Sequence, residues 1–252
     1  EPLIKGYHYS FLQNNQDLPS PFYYLVGAFI GEDALWIGRG WAGGGLIHYD
    51  MKHNKATVYT ENQGLVGDSV WALHLSSSGD LLVGTSQGLS VFNGQEFENY
   101  LESVEGDSLA IYSISPKEKG GFWLGTSRGL YLKAGNEIRK VTSGTGLDSA
   151  LIWKVHQDEK DRLWCATDDL GVFIYSDGLT TRLTTRDGLA DNSIYDIHEY
   201  PAGTFWFATG GGITSYRSST YQPGIRLTSL TYHNKVADLS IPQRINPYRP
   251  FT

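Results

Sequence analysis

Phe122-Trp123-Leu124-Gly125 is one of five related segments that recur along this chain of 252 residues. Its counterparts are residues 35–38 (LWIG), 81–84 (LLVG), 163–166 (LWCA) and 205–208 (FWFA). Successive segments begin 46, 41, 41 and 42 residues apart. A repeat of about 40 to 45 residues is typical of a β-propeller, in which each repeat forms one four-stranded blade. The spacing therefore predicts an all-β fold whose functional residues lie in loops at one end of the blades.

The residues around each segment alternate between short β-rich runs and turn-forming clusters. In the second repeat, four such runs at 68–75, 81–85, 88–92 and 97–100 are separated by Gly, Ser, Asp and Asn, which predicts four short strands. The expected blades lie near residues 15–60, 61–101, 102–143, 144–185 and 186–220, so the propeller occupies 1–220, and a second domain begins in 221–252. The Trp of these segments is expected to lie mainly in the core.

Blade number is ambiguous at this level. The fifth repeat has no clear fourth strand before Pro223, and residues 8–13 (HYSFLQ) predict a strand without a blade of its own. An unclosed arc of blades would expose strand edges and an apolar face. The chain is therefore interpreted as the C-terminal portion of a larger propeller, with a closed ring of five blades as the alternative.

Composition argues against several classes of function. The net charge is −7 with no long run of either sign, so the sequence offers neither a basic stripe for nucleic acid nor a basic helix for a membrane surface. No apolar run reaches the roughly 18 residues of a membrane span. Cys165, the single cysteine, is expected to be a small core residue. The chain starts at Glu1 without a signal peptide, which suggests a piece of a longer protein.

Two further residue sets recur at fixed repeat positions. Aromatic residues precede four of the segments by ten residues: Trp71, Tyr112, Trp153 and Tyr195. We expect these rings to pack between neighbouring blades, with a sugar-stacking platform as the alternative. His74, His156 and His198 precede three segments by seven residues, but the third repeat has Ser115 there. We therefore expect neither a metal ion nor another cofactor.

The combined pattern resembles the two-component regulator propeller repeat. The resemblance rests on 63–65 (QGL), 144–147 and 187–193 (DGLADNS) together with the five segments, and it covers about residues 15 to 217. Members of that family form the periplasmic sensor region of bacterial histidine kinases, notably hybrid two-component sensors, and usually close with seven blades. Residues 222–230 and 232–235 look like the opening of the triple-tyrosine domain, the immunoglobulin-like sandwich that follows such propellers.

This resemblance implies an extracytoplasmic, periplasmic sensor that binds a small molecule or an oligosaccharide, for example a carbohydrate breakdown product, and signals to a kinase. It allows a homodimer through the immunoglobulin-like domain, a membrane contact only through further parts, and no nucleic acid. A protein-interaction scaffold is one alternative, and a propeller-fold polysaccharide lyase or hydrolase is another. The residues themselves show no nucleophile elbow, metal spacing or catalytic cluster, so the chain is not expected to be an enzyme.

Strand direction predicts where a ligand would bind. If first strands run downward from the upper end, the loops before them share that end with the turns between second and third strands. Candidate ligand-binding residues in these loops are Arg39, Trp41, Asp68, Arg128, Asp168, Asp169 and Asn192. The Gly-rich stretch 39–45 is longer than its counterparts, and Trp41 and Arg39 could offer a stacking face and a bidentate donor. Alternatively, Trp41 folds back over the blade edge.

Overall fold

The computed structural model describes residues 25–30, 34–40, 44–101, 107–117, 120–141, 144–217, 229–232 and 235–238, the first and the last two ranges by their backbone alone. The chain divides into two units, Glu1–Tyr216 and Arg217–Thr252. In the second unit, β20 (Ser229–Tyr232) and β21 (Lys235–Asp238) form an antiparallel pair. The remainder of the predicted immunoglobulin-like segment lies outside the described residues, as does the strand predicted at 8–13.

The first unit contains five antiparallel sheets, which we call blades 1 to 5. Blade 1 comprises β1 (Leu25–Ile30), β2 (Ala34–Arg39), β3 (Leu46–Asp50) and β4 (Lys55–Tyr59). Blade 2 comprises β5 (Val70–Leu75), β6 (Leu81–Thr85), β7 (Gly88–Phe92) and β8 (Phe97–Tyr100). Blade 3 comprises β9 (Ile111–Pro116), β10 (Phe122–Thr126), β11 (Gly129–Ala134) and β12 (Glu137–Lys140). Blade 4 comprises β13 (Ile152–Gln157), β14 (Leu163–Thr167), β15 (Val172–Ser176) and β16 (Leu179–Leu183). Blade 5 has three described strands, β17 (Ile194–Glu199), β18 (Thr204–Thr209) and β19 (Gly212–Arg217).

This arrangement confirms the all-β propeller architecture predicted from the repeat. The five recurring segments are the second strands, and each sheet keeps its strands in sequence order. The first strands of neighbouring blades contact one another in series, from β1 through β5, β9 and β13 to β17. They are therefore the inner strands, and the blades radiate from them as in other propellers.

Successive blades are held together by apolar side chains that project from both faces of each sheet. Trp164 of blade 4 is fully buried, and its ring stacks on Phe205 of blade 5 with centroids 3.9 Å apart. Cys165, also 0% exposed, projects the other way, into the cluster that Trp123 of blade 3 forms with blade 4. All five residues of β14 are buried. The core role expected for Cys165 is thus confirmed, and the same is true of Trp123 and Trp164.

Blade 5 departs from this pattern. Along β18, buried and exposed residues alternate, with Phe205 and Phe207 at 0% exposure and Trp206 at 44%. Blades 1 and 5 share no packed interface among the described residues. The five blades are therefore not closed into a ring, and the expectation that Trp206 lies in the core was wrong. Trp164 is covered by blade 5, whereas no described blade covers the side of blade 5 on which Trp206 lies.

Two glycines of blade 4 have the same backbone conformation but differ in how closely other atoms approach them. Gly171 and Gly178 both adopt left-handed backbone, with φ of +80° and +81°. A Cβ at Gly171 would lie 2.1 Å from the carbonyl oxygen of Leu183, whereas one at Gly178 would meet nothing within 4 Å. We expect Gly178→Ala to lower the free energy of unfolding by about 1–2 kcal/mol, the cost of left-handed backbone, and Gly171→Ala to lower it clearly more. Urea denaturation measures both, and equal losses would contradict the close approach.

Candidate functional site

The repeated aromatic residues lie at β-bulges near the start of the inner strands. In blades 2 to 5, pairing between the first and second strands shifts register at one place: between Val70 and Ala72, between Ile111 and Ser113, between Ile152 and Lys154, and between Ile194 and Asp196. The residues at the bulges are Trp71, Tyr112, Trp153 and Tyr195. A bulge re-aims the side chain of its extra residue, so the bulge reorients one aromatic ring in each of blades 2 to 5.

These rings meet across blade boundaries. The centroids of Trp71 and Tyr112 are 5.6 Å apart, and those of Tyr112 and Trp153 are 4.6 Å apart. The three rings therefore connect blades 2, 3 and 4, which confirms that they pack between neighbours. None of the three is fully buried, and Tyr195 of blade 5 is 53% exposed. We call Trp71, Tyr112, Trp153 and Tyr195 the upper belt.

Asp168 joins the upper belt to the turns at the same end of the blades. It lies in the turn between β14 and β15, and its Oδ1 accepts a hydrogen bond from Trp153 Nε1 at 3.0 Å. Burial raises the pKa of Tyr112, and the negative charge of Asp168 raises it further. Asp169 is also exposed, and neither carboxylate belongs to an ion pair in the described part of the chain. A negative charge therefore lies at the edge of the aromatic series.

Two ion pairs near this end involve basic residues of blades 3 and 4. Arg128 Nη2 lies 2.5 Å from Asp107 Oδ2, and Arg128 follows Thr126, whose hydroxyl accepts the Arg128 N–H. Lys154 Nζ lies 3.5 Å from Asp196 Oδ1 and connects the inner strands of blades 4 and 5. Of the predicted residues, the structure thus brings Asp168 to the upper belt, places Asp169 beside it in the same turn, and places Arg128 in the equivalent turn of blade 3.

Asp68 and Asn192 occupy equivalent repeat positions, and the side chain of each accepts a hydrogen bond from a backbone N–H. The Asp68 carboxylate accepts the N–H of Glu61 at 2.7 Å, and the Asn192 side-chain oxygen accepts the N–H of Thr185 at 2.9 Å. Both N–H groups begin short 3-10 turns, Glu61–Gln63 and Thr185–Asp187, that connect successive blades. These side chains satisfy donors that a helical turn leaves unpaired, so they shape the connection between blades.

The enlarged turn after β2 gives a mixed result. Arg39 is only 8% exposed, and a Cβ placed on Gly44 would lie 2.2 Å from its Cζ. The guanidinium therefore packs closely against the backbone of its own turn. Trp41 lies outside the described residues, so its stacking role stays a prediction from the sequence.

His74 and His156 lie between blades, whereas His198 on blade 5 is exposed, and no contact joins the three rings in the described part of the chain. His156 Nε2 is 2.7 Å from Glu199 Oε2 of blade 5, and the His74 ring lies 5.3 Å from that of Phe122 of blade 3. Burial lowers the pKa of His74. Within the described ranges, no three His, Cys, Asp or Glu side chains are grouped so as to hold a metal ion.

Two clefts lie at the lower end of the blades, opposite the upper belt. One of about 230 Å³ separates Trp123 from the turn at Ser176–Gly178, and one of about 350 Å³ contains Lys133 and Tyr100. Lys133 Nζ lies 4.0 Å from the centre of the Tyr100 ring and donates to the Gly135 carbonyl at 2.7 Å. Burial and the nearby Glu98 raise the pKa of Tyr100 to about 12. The polar groups of this cleft are engaged in contacts with one another. The upper belt is therefore a better candidate for a ligand site than the clefts.

Comparisons with known proteins identify the architecture. No family model matches the sequence, and no curated protein matches it. Among solved structures, the chain is similar to an extracellular domain assigned to the hybrid two-component system BT4673 of B. thetaiotaomicron, with 21% identity and a TM-score of 0.67 over 81% of this chain and 29% of the other. The extracellular domain assigned to the hybrid system BT3049 of the same organism gives 20% identity and a TM-score of 0.61 over 88% and 34%.

An enzyme has the same architecture. A virginiamycin B lyase from Staphylococcus aureus is 15% identical, with a TM-score of 0.60 over 88% of this chain and 86% of the lyase. The chain spans about a third of the length of the two extracellular domains. In the described part of the chain, no helix has the length and apolar character needed to span a bilayer. At these identities the shared feature is the β-propeller fold, to which this chain belongs.

Proposed function

We propose that this chain is the ligand-binding part of an extracytoplasmic sensor of the hybrid two-component type, and that the ligand binds at the upper belt. The observation that carries the proposal is the series Trp71–Tyr112–Trp153, which spans three blades and ends at the Asp168 carboxylate. The similarity to two extracellular domains assigned to hybrid two-component systems supports the sensor role. A periplasmic location belongs to the same proposal.

An oligosaccharide fragment fits the chemistry of this surface. Aromatic rings offer flat apolar faces with a polar edge, and the C–H face of a pyranose ring can stack on them. The exposed Asp168 and Asp169 carboxylates are acceptors for sugar hydroxyl groups, in keeping with ligand sites that combine apolar walls with a few polar groups. The ligand state would then pass to a kinase dimer through the immunoglobulin-like domain, which is also the proposed homodimer contact.

A second candidate function is enzymatic, because a lyase has a similar fold. Fold alone does not imply function, and a lyase would need an acid or base aimed at its substrate. Asp168 is the carboxylate that contacts the upper belt, and one of its oxygens is engaged by the Trp153 indole. An assay for breakdown of any bound compound distinguishes the two functions, since turnover would replace the sensor role with an enzymatic one.

A ligand screen followed by titration tests the site. Oligosaccharides that raise the melting temperature are titrated calorimetrically against the wild type and the Trp153→Ala variant. We expect Trp153→Ala to weaken binding about tenfold or more, because a stacking contact of about 1.4 kcal/mol corresponds to a factor of ten. Asp168→Asn is expected to weaken it as well.

Trp206→Ala is the matched control, since this exposed Trp lies on blade 5 away from the belt. Its affinity should equal that of the wild type. A compound that binds all three variants equally would place the ligand elsewhere and overturn the proposed site. Melting curves of each variant show whether the fold is retained.

A further inference from the structure

The series of ring contacts in the upper belt is interrupted between blades 4 and 5. Trp71, Tyr112 and Trp153 follow one another with centroids 5.6 Å and 4.6 Å apart. Tyr195, the next belt residue, is exposed, and no ring contact joins it to Trp153 among the described residues. Their inner strands, β13 and β17, are nevertheless neighbours. These two rings therefore leave each other uncovered, unlike the rings of blades 2 to 4.

One turn residue in each of blades 2 to 5 is fixed beside the belt. It is the first residue after the second strand, and its backbone N–H donates to the carbonyl oxygen two residues before the belt aromatic. The four bonds, of 2.9–3.2 Å, join Ser86 to Ser69, Ser127 to Ala110, Asp168 to Leu151 and Gly210 to Ser193. Only blade 4 has a charged side chain at this position, and the Asp168 carboxylate accepts the Trp153 indole N–H at 3.0 Å. A negative charge is thus held beside one particular ring of the belt.

Blade 5 provides a second carboxylate from a different element. Asp191 lies in the loop before β17, and its Oδ1 accepts the N–H of Ser193 at 2.8 Å. A Cβ placed on Gly210 would lie 3.5 Å from Asp191 Oδ2 and 3.6 Å from the Tyr195 hydroxyl oxygen. The carboxylate and the hydroxyl therefore flank the position in blade 5 that Asp168 occupies in blade 4. We call the following four residues the belt subsite: Trp153, Asp168, Asp191 and Tyr195.

The charge around the belt subsite is negative. Lys154 on β13 pairs with Asp196 of blade 5 at 3.5 Å. Asp168, Asp169 and Asp191 belong to no ion pair within the described ranges. A cation would be attracted both by the carboxylates and by the aromatic faces, whose ring quadrupole favours positive charge. An acidic sugar would instead bring like charges together at this place, which costs binding energy.

We propose that the ligand of the upper belt is an oligosaccharide with a protonated amine, and that the belt subsite binds this amine. The inference rests on the proposed function, because it names the class of ligand for the same site. The ammonium group donates a charge-assisted hydrogen bond to Asp168 Oδ2, the oxygen that the Trp153 indole leaves free, while the sugar ring stacks on Trp153. Sugars with a carboxylate or sulfate group are disfavoured by the same charges.

Matched oligosaccharides test this inference. Glucosamine oligomers, their N-acetylated form and glucose oligomers of the same length and linkage differ only in the group at one carbon, and the first alone carries protonated amines. Each is titrated calorimetrically, at a pH at which the amine is protonated, against the wild type, Asp168→Asn and Trp153→Ala. We expect the wild type to bind the glucosamine oligomer about tenfold or more tightly than the other two. Asp168→Asn should lose most of this preference, whereas Trp153→Ala should weaken the binding of all three compounds.

Asp177→Asn is the matched control, because it removes the same charge from an exposed turn of blade 4 at the lower end of the blades. It should keep the wild-type preference, and a loss of preference here would assign the effect to overall charge and overturn the inference. If the glucosamine oligomer binds no more tightly than the others while Trp153→Ala weakens all three, the amine is not recognised but the proposed site stands. If none of the compounds binds, or if Trp153→Ala changes nothing, both proposals fail.

Discussion

Trp164→Ala is expected to lower the free energy of unfolding by about 3–5 kcal/mol, the range for truncating a buried aromatic side chain. Trp164 is fully buried, stacks on Phe205 at 3.9 Å and donates its indole N–H to Asp158 at 2.9 Å. Alanine would leave a cavity between blades 4 and 5 and remove one of the hydrogen bonds to the Asp158 carboxylate. Urea denaturation followed by far-UV circular dichroism measures the loss.

Trp206→Ala is the control for this substitution, because the two residues occupy the same repeat position. Trp206 is 44% exposed and donates its indole N–H to the Tyr200 carbonyl. The expected loss is about 1 kcal/mol or less, in the range of partly exposed sites. Equal losses of unfolding free energy at both positions would contradict the difference in packing between Trp164, which blade 5 covers, and Trp206, which is partly exposed.

Asp158→Ala is expected to have the second-largest effect, about 3 kcal/mol, because it removes the acceptor of several hydrogen bonds at a buried site. The Asp158 carboxylate accepts from Trp164 Nε1 at 2.9 Å, from Arg162 Nε at 2.7 Å and from the backbone N–H of Lys160 at 2.9 Å. Its side chain is 3% exposed and that of Arg162 is 24% exposed. Asp158→Asn keeps the size and should retain part of the lost stability.

The same carboxylate makes stability depend on acid pH. Burial alone would raise the pKa of Asp158, but hydrogen bonds from Trp164, Arg162 and Lys160 outweigh it and hold the pKa below its ordinary value. The folded state therefore binds this proton less readily than the unfolded state, and the stabilisation is complete above the ordinary pKa of about 3.9. It is lost as pH falls through the folded value.

This pH dependence is measured as the difference in unfolding free energy between wild type and Asp158→Asn. The difference should be constant near neutral pH and shrink as pH falls from about 5 toward 2. A difference that stays constant across this range would show that the charge of Asp158 does not contribute to folding.

Much of the fold follows from sequence periodicity alone. The five recurring segments, four of them with Trp, mark all five second strands, since their apolar residues must face neighbouring blades on both sides. The same logic failed at Trp206, because a local sequence does not show whether the next blade is present. The repeat therefore predicted the sheet but not the exposure of its outer face.

The candidate site was only partly predictable. The aromatic at each inner strand was visible from its spacing, but the bulges that turn Tyr112 and Trp153 toward each other depend on strand pairing. Asp68 and Asn192 looked like free loop residues because their partners, the N–H groups of the 3-10 turns, carry no sequence signal. Asp168 was identified from strand direction, although its hydrogen bond to Trp153 was not.

Hydroxyl-radical footprinting of the chain, with and without a compound from the oligosaccharide screen, tests most directly whether the upper belt binds ligand. Oxidation of Trp153 and Tyr112 is expected to fall in the presence of the compound, whereas that of the exposed Trp206 on blade 5 should not change. The contradicting result is an unchanged upper belt with protection at Trp123 or Tyr100, which would place the ligand in the lower clefts.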